Sequence, residues 1–137
     1  IIGIPEDIGP RANLGRGGAH EAFPAFLRHF LNLQCNQHIK AEEIVLLGHV
    51  LCDDLQGSSN ERSLETLRCL VSELDDRVCS IMQPVFGAGL APIVIGGGHN
   101  NSYPLLKALS THCDKEINAI NLDPHADFRA IEGRHSG

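Results

Sequence analysis

Short apolar runs alternate along the chain with longer segments in which apolar residues recur every three or four positions. The runs predict β-strands, because strands buried on both faces of a parallel sheet read as nearly continuous hydrophobic stretches. Four such runs occur, at residues 1–4, 43–48, 91–97 and 117–123. The sequence therefore predicts four strands.

The segments between the predicted strands carry helical periodicity. Residues 19–32 place phenylalanines and leucines on one face, and residues 64–81 repeat leucine, valine and isoleucine at three- and four-residue steps. Residues 102–112 predict a third helix. Residues 5–18 are rich in glycine and proline, so we expect a long loop there.

The longest helix has recognisable boundary signals. Polar residues at positions 58–60 can cap its N-terminus, and Pro84 with the glycines after it is expected to end it. The preceding residues, 50–59, predict a turn-rich connection.

The β-α-β-α-β-α-β order predicts an α/β fold of three layers, with a parallel sheet between helices and right-handed crossovers. We expect residues 1–137 to form a single, incomplete domain of this kind, truncated to about four strands. Ligands in such sheets bind beyond the carboxyl ends of the strands. The loops that follow the strands are therefore the places where functional residues are expected.

Composition excludes some classes of partner. The net charge is −6, and lysine and arginine are not clustered, so we expect no nucleic-acid partner. The apolar runs are far shorter than the ~20 residues that span a bilayer, so we expect no membrane partner. The five cysteines form no C-x-x-C pair, which indicates reduced thiols and a cytoplasmic location. Ile1 stands where a natural chain has Met, so we expect the natural N-terminus to lie upstream.

The loop after the fourth predicted strand, NLDPHADFR at 121–129, carries residues that can bind a metal. In extended backbone, Asp123, His125 and Asp127 would project to one side, about 6.5–7 Å apart per step. Two carboxylates and an imidazole without a thiol favour manganese, then iron, cobalt or zinc. The alternative is a turn in which Asp123 caps a helix and the other two side chains face water.

The loop after the third predicted strand, GGGHNN at 96–101, supplies a further candidate ligand. Three glycines allow the backbone to turn sharply, which would project His99 at the same edge of the sheet. Neither G-K-[ST] nor G-x-G-x-x-G follows, which disfavours a phosphate-binding loop. We therefore predict a metal site formed by His99, Asp123, His125 and Asp127.

The motifs GGGHNNS and LDPHADFR, with the opening IIGIPEDIGPRANLGRGGAHEAFPAFLR, resemble the ureohydrolases, the family of arginase, agmatinase and formimidoylglutamase. The resemblance spans essentially the whole chain and implies an arginase-like fold with a binuclear manganese site. It implies that His99 and Asp127 bind one ion, that His125 binds the other and that Asp123 bridges them. It also implies a catalytic role for Asp127, which would orient the attacking water against the carbon of a linear amidine or guanidine.

Two further residues are candidates for binding the substrate. Arg129, in D-F-R, resembles formimidoylglutamase, and an arginine can hold a substrate carboxylate with two hydrogen bonds. A surface salt bridge is an equal alternative for Arg129. Ser136 matches a serine that in arginase contacts the amino-acid end of the substrate. We expect N-formimidoyl-L-glutamate as the substrate, with glutamate and formamide as products, and arginine or agmatine as the alternatives.

The family's third motif, S-x-D-x-D, does not occur in these 137 residues. We therefore expect them to be the N-terminal half of a ureohydrolase domain that is inactive alone and whose complete form is a homo-oligomer. An alternative of another class is a non-catalytic half-domain or binding module.

Overall fold

A computed structural model describes most of the chain, namely residues 1–59, 62–125 and 127. Its sheet contains three parallel strands in the order β2-β1-β3. The strands are β1 (Ile2–Gly3), β2 (Gly48–His49) and β3 (Val94–Ile95). The first strand of the chain, β1, is therefore the central one. The loop that follows β1 lies between the loop after β2 and the loop after β3.

Helices separate the strands along the chain. They are α1 (Ile8–Ala12), α2 (Ala22–Phe30), α3 (Asp53–Ser58), α4 (Leu64–Gly87) and α5 (Ser102–Cys113). Three single 3-10 turns accompany them, at Ala19–Glu21, Ala41–Glu43 and His99–Asn101.

Both faces of the sheet are covered by helices. On one face Ile2 and Ile4 are buried in a core shared with α1, α3, α4 and α5. Gly3 points to the opposite face, where a Cβ atom would overlap the ring of Phe23 from α2. Alternate residues of β1 therefore contact helices on opposite sides, as the pleat of a strand requires. The predicted α/β class and its three layers are confirmed.

The fourth predicted strand, at residues 117–123, is not observed. This segment has no regular secondary structure, and Ile120 and Leu122 are 99% and 102% exposed. Apolar character alone does not make a strand, because a strand also needs a hydrogen-bonded neighbour. The second strand is likewise shorter than predicted, since β1 offers partners only to residues near Gly48.

Two helices were not predicted. α1 lies within the expected loop at 5–18, and its Pro10 falls in the first turn, where a missing N–H costs no helical hydrogen bond. α3 replaces the expected turn-rich connection, and it begins with Asp53 and Asp54 at the positive end of its dipole. Each helix is too short to show a repeating apolar pattern, and each contains a glycine.

The boundaries of α4 also differ from the prediction. Ser63 caps the helix, because its Oγ accepts a hydrogen bond from Thr66 N–H at 3.2 Å. Ser59 instead terminates α3, and Asn60 lies outside the described residues. Pro84 lies inside α4, which continues to Gly87. Of the helices in the described residues, none has both the length and the apolar character needed to cross a membrane.

Candidate metal centre

A turn built of glycines carries His99. Gly96 and Gly97, directly after β3, have φ angles of +87° and +76°, a region that favours glycine. A Cβ at Gly97 would lie 2.7 Å from the carbonyl oxygen of Ile4 and 2.6 Å from Asn101 Nδ2. The backbone of this turn therefore lies against the end of β1, and His99 follows as the first residue of the 3-10 turn that leads into α5.

Substituting Gly97 tests how far this close approach matters. We expect Gly97→Ala to lower the free energy of unfolding by more than the ~1–2 kcal/mol of a left-handed alanine alone. Gly89→Ala is the matched control, because Gly89 has φ +70° but nothing within 4 Å of a new Cβ. Urea denaturation of both variants measures the difference, and equal losses would contradict close packing of Gly97 against Ile4 and Asn101.

The second turn, residues 121–125 with Asp127, holds the candidate ligands by local hydrogen bonds. Asp123 Oδ1 accepts a hydrogen bond from the His125 backbone N–H at 2.9 Å. Asn121 Nδ2 donates to Asp127 Oδ2 at 2.9 Å and to the His125 carbonyl oxygen at 3.3 Å. Asp127 has φ +54°, which aspartate tolerates better than most residues. The predicted extended geometry is therefore wrong, and a turn orients these side chains instead.

The two turns meet at the edge of the sheet. His99 Nδ1 lies 3.2 Å from Asp127 Oδ2 and 3.6 Å from Asp123 Oδ2. One potential ligand atom from each of these three residues lies within 4.8 Å of the others. The structure therefore brings together three of the four predicted ligands, from segments more than 20 residues apart in the sequence.

His125 lies on the other side of Asp123. Its Nδ1 is 3.3 Å from Asp123 Oδ1, while its side chain is 82% exposed. The two oxygens of the Asp123 carboxylate thus face two different histidines. His125 does not join the cluster of the other three residues, and its role as a ligand stays a prediction.

The donor set fits a hard or borderline divalent cation. Neighbouring ligands about 2.0–2.1 Å from an octahedral ion lie roughly 3 Å apart, close to the His99–Asp127 separation. The hydrogen bond from His125 N–H lowers the pKa of Asp123 below its ordinary value, although partial desolvation opposes it. Asp123 is therefore ionised at neutral pH, as a metal ligand must be.

A buried polar cluster fixes the loop after β1 at the same edge of the sheet. Asp7 accepts hydrogen bonds from Gly18 N–H at 2.8 Å, from His20 Nδ1 at 3.0 Å and from Gln56 Nε2. Burial alone would raise the pKa of Asp7, but these hydrogen bonds, led by that of Gly18, lower it overall. The glycine-rich loop at 15–18 is therefore tied to Asp7 through its backbone.

Sequence reasoning missed Asn121 and Glu6 as residues that support the site. Asn121 lies in the same turn as the candidate ligands, but it carries no charge that would indicate a role at a metal site. Glu6 is fully buried, and it accepts a hydrogen bond from Gly98 N–H next to His99. Its position in the loop that follows the first apolar run, two residues after that run ends, was the available signal. The predicted substrate residues Arg129 and Ser136 lie outside the described residues, so their roles stay predictions.

Comparison with known proteins decides the family. The model of the arginase family matches residues 1–137. The chain belongs to the arginase family. The resemblance predicted from the two motifs is therefore confirmed, and the αβα fold is the one expected for an arginase-family chain.

The relatives of this arginase-family chain include formimidoylglutamases. It is 28% identical over 142 residues to one from Aromatoleum aromaticum and 32% identical over 138 residues to one from Chromobacterium violaceum. It is 34% identical over 137 residues to one from Geobacillus kaustophilus, across 96% of this chain and 37% of that protein. The first two alignments cover all of this chain but 39% of each relative. No solved structure matches the chain significantly.

Proposed function

We propose that the whole protein is a manganese-dependent hydrolase that cleaves a C–N bond of a linear amidine, with N-formimidoyl-L-glutamate as its substrate. Membership of the arginase family and the formimidoylglutamases among its relatives support this proposal. The observation that carries it is the geometry of Asp123, whose carboxylate oxygens lie 3.6 Å from His99 Nδ1 and 3.3 Å from His125 Nδ1. A carboxylate between two imidazoles suits a bridge between two ions.

Each predicted ligand has a role in this proposal. His99 and Asp127 would hold one ion, His125 would hold the other, and Asp123 would bridge them. Manganese, when bound, would make a water molecule acidic enough to act as a nucleophile at neutral pH. The short distance between His99 and Asp127, 3.2 Å, supports their sharing one ion.

The chain's own residues would guide the reaction. Asp127, fixed through Oδ2 by Asn121, would orient the attacking water and hold a proton from it. Water adds to the amidine carbon, and the C–N bond to the glutamate nitrogen then breaks. That nitrogen takes up a proton, so the products are glutamate and formamide.

The choice of substrate depends on residues outside the described part of the chain. We propose that Arg129 pairs with a substrate carboxylate and that Ser136 contacts its amino-acid end. Agmatine has no carboxylate to occupy such an arginine, which favours formimidoylglutamate over agmatine. We further propose a cytoplasmic homo-oligomer, without nucleic-acid or membrane partners.

A substrate panel tests the proposal. Full-length protein loaded with Mn²⁺ is incubated with N-formimidoyl-L-glutamate, arginine or agmatine, and NMR detects formamide or urea. We expect formamide and glutamate from the first substrate, no turnover after EDTA treatment, and no turnover at an enzyme-like rate by residues 1–137 alone. Urea from arginine or agmatine would instead favour the alternatives within the family. Bound manganese without turnover of any substrate would favour a non-catalytic binding module.

A further inference from the structure

A buried carboxylate lies behind the turn that carries His99. Glu6 is 0% exposed and follows the central strand by three residues. Its Oε1 accepts hydrogen bonds from Gly98 N–H at 2.6 Å and from Asn101 Nδ2 at 2.7 Å. Its Oε2 accepts one from Gly9 N–H at 3.0 Å. These donors, two backbone amides and a carboxamide, account for a charge that would otherwise be costly to bury.

Two of these three hydrogen bonds flank His99 in the sequence. Gly98 precedes His99 directly, and Asn101 lies two residues after it. Asn101 is itself buried, and its Nδ2 also donates to the Gly98 carbonyl oxygen at 3.0 Å. One oxygen of Glu6 therefore holds both ends of the 3-10 turn from which the His99 ring reaches Asp123 and Asp127.

We propose that Glu6 is a positioning residue that sets the place of the His99 ring relative to Asp123 and Asp127. This inference rests on the proposed function, in which those three residues bind manganese. Metal–ligand distances tolerate only about 0.2 Å of error, so a ligand on a glycine-rich turn needs its backbone fixed. Glu6 supplies that constraint from the end of the central strand, while its other oxygen is fixed by α1.

Two substitutions at this position separate positioning from simple stability. Glu6→Gln keeps an oxygen for Gly98 and Asn101 but turns an amide N–H towards the Gly9 N–H, so it loses the bond to α1. Glu6→Ala loses all three hydrogen bonds. Both variants are expected to be less stable than the wild type, but the alanine variant alone loses the contact with the turn.

The first readout is Mn²⁺ affinity of the full-length protein, measured by EPR of free Mn²⁺ at a temperature where circular dichroism shows each variant folded. We expect an affinity about tenfold weaker, or worse, for Glu6→Ala and within about threefold of wild type for Glu6→Gln. Val78→Ala, a large-to-small change in the buried face of α4, is the stability control and should bind as the wild type does. Wild-type affinity in folded Glu6→Ala would overturn the proposal, and so would equal weakening in all three variants.

A metal-free readout separates this proposal from the proposed function. We expect a single narrow set of His99 ring signals by NMR in the wild type and Glu6→Gln, and broadened or multiple signals in Glu6→Ala. If wild-type protein binds no Mn²⁺, the proposed function fails and the His99 signals alone decide the role of Glu6.

If Glu6→Ala does not fold, Asn101→Ala takes its place, because it removes the Nδ2 donor while Glu6 keeps its bonds to Gly98 and Gly9. Unchanged His99 signals and Mn²⁺ affinity in that variant would overturn the proposal.

Discussion

Replacing Asp123 by alanine is expected to abolish hydrolysis by the full-length protein and to lower its manganese content. Asp123 lies between His99 and His125, so its loss removes one ligand from each proposed ion and half of the carboxylate charge that the described residues offer there. Loss of groups that only support ligands already weakens metal binding 10- to 100-fold, so loss of a bridging ligand should exceed about 100-fold. Elemental analysis of manganese per chain measures the effect directly.

Two further variants make this experiment specific. Asp123→Asn keeps an oxygen for the His125 N–H, so the turn should persist while the charge is lost; we expect it to bind manganese almost as poorly as the alanine variant. Glu116→Ala removes an exposed carboxylate seven residues earlier and should retain both metal and activity. Unchanged manganese stoichiometry in Asp123→Ala would remove Asp123 from the site.

The second large effect is expected on the pH dependence of stability when Asp75, on the buried face of α4, is replaced by asparagine. Asp75 is 4% exposed, and its Oδ1 has no hydrogen-bond partner. Burial raises the pKa of Asp75 to about 7, helped by the charges of Asp76 and Glu6 and opposed by that of Lys107. The unfolded chain ionises this carboxyl near pH 4, whereas the folded chain keeps it protonated until about pH 7.

The sign of the pH dependence follows from this difference. Between about pH 4 and pH 7 the folded state binds one more proton at Asp75 than the unfolded state, so this group makes stability fall as pH rises. The full loss, present above pH 7, is on the order of 4 kcal/mol. Asp75→Asn cannot ionise, and we expect its stability relative to the wild type to rise with pH across this range. Because the buried amide has its own cost of about 1–3 kcal/mol, the net gain at pH 8 should be roughly 1–3 kcal/mol.

Urea denaturation of both proteins at pH 4, 6 and 8 measures the effect. Taking the difference between variant and wild type cancels the titration of groups that do not interact with Asp75. Glu65→Gln is the matched control on the same helix, because Glu65 is exposed and lies ten residues before Asp75. A difference between Asp75→Asn and wild type that does not change with pH would show that Asp75 has an ordinary pKa.

Those features of the fold that depend on long periodic patterns could be predicted from the sequence. The α/β class, α4 and α5 follow from apolar spacing, which is set by burial and repeats over many residues. α1 and α3 escaped prediction because each has only five or six residues, too few for apolar periodicity, and includes glycine, which favours loops. The predicted strand at 117–123 failed for the opposite reason, since its apolar residues signal burial but the described structure gives them no neighbour.

The candidate metal site was also partly predictable from the sequence. His99, Asp123 and Asp127 belong to short motifs whose residue types suggest metal binding, and the rule that parallel strands share one functional edge placed them together. The turn geometry of Asp123 and the supporting contacts of Glu6 and Asn121 were not predictable. They depend on hydrogen bonds between particular atoms, some of them between residues more than 90 positions apart.

The contact between the two turns lets a bound cation stabilise the fold of this region. Within the described residues, the hydrogen bonds of the Asp123 turn are local, and the contacts of His99 with Asp123 and Asp127 connect that turn to the sheet. A bound cation would act there as a cross-link between the Asp123 turn, which is ordered locally, and the His99 turn, which Glu6 holds at the end of the central strand. Much of the free energy of metal binding would therefore offset the entropy cost of holding the two turns together. Removing the metal with a chelator would allow the Asp123 turn to separate from the His99 turn.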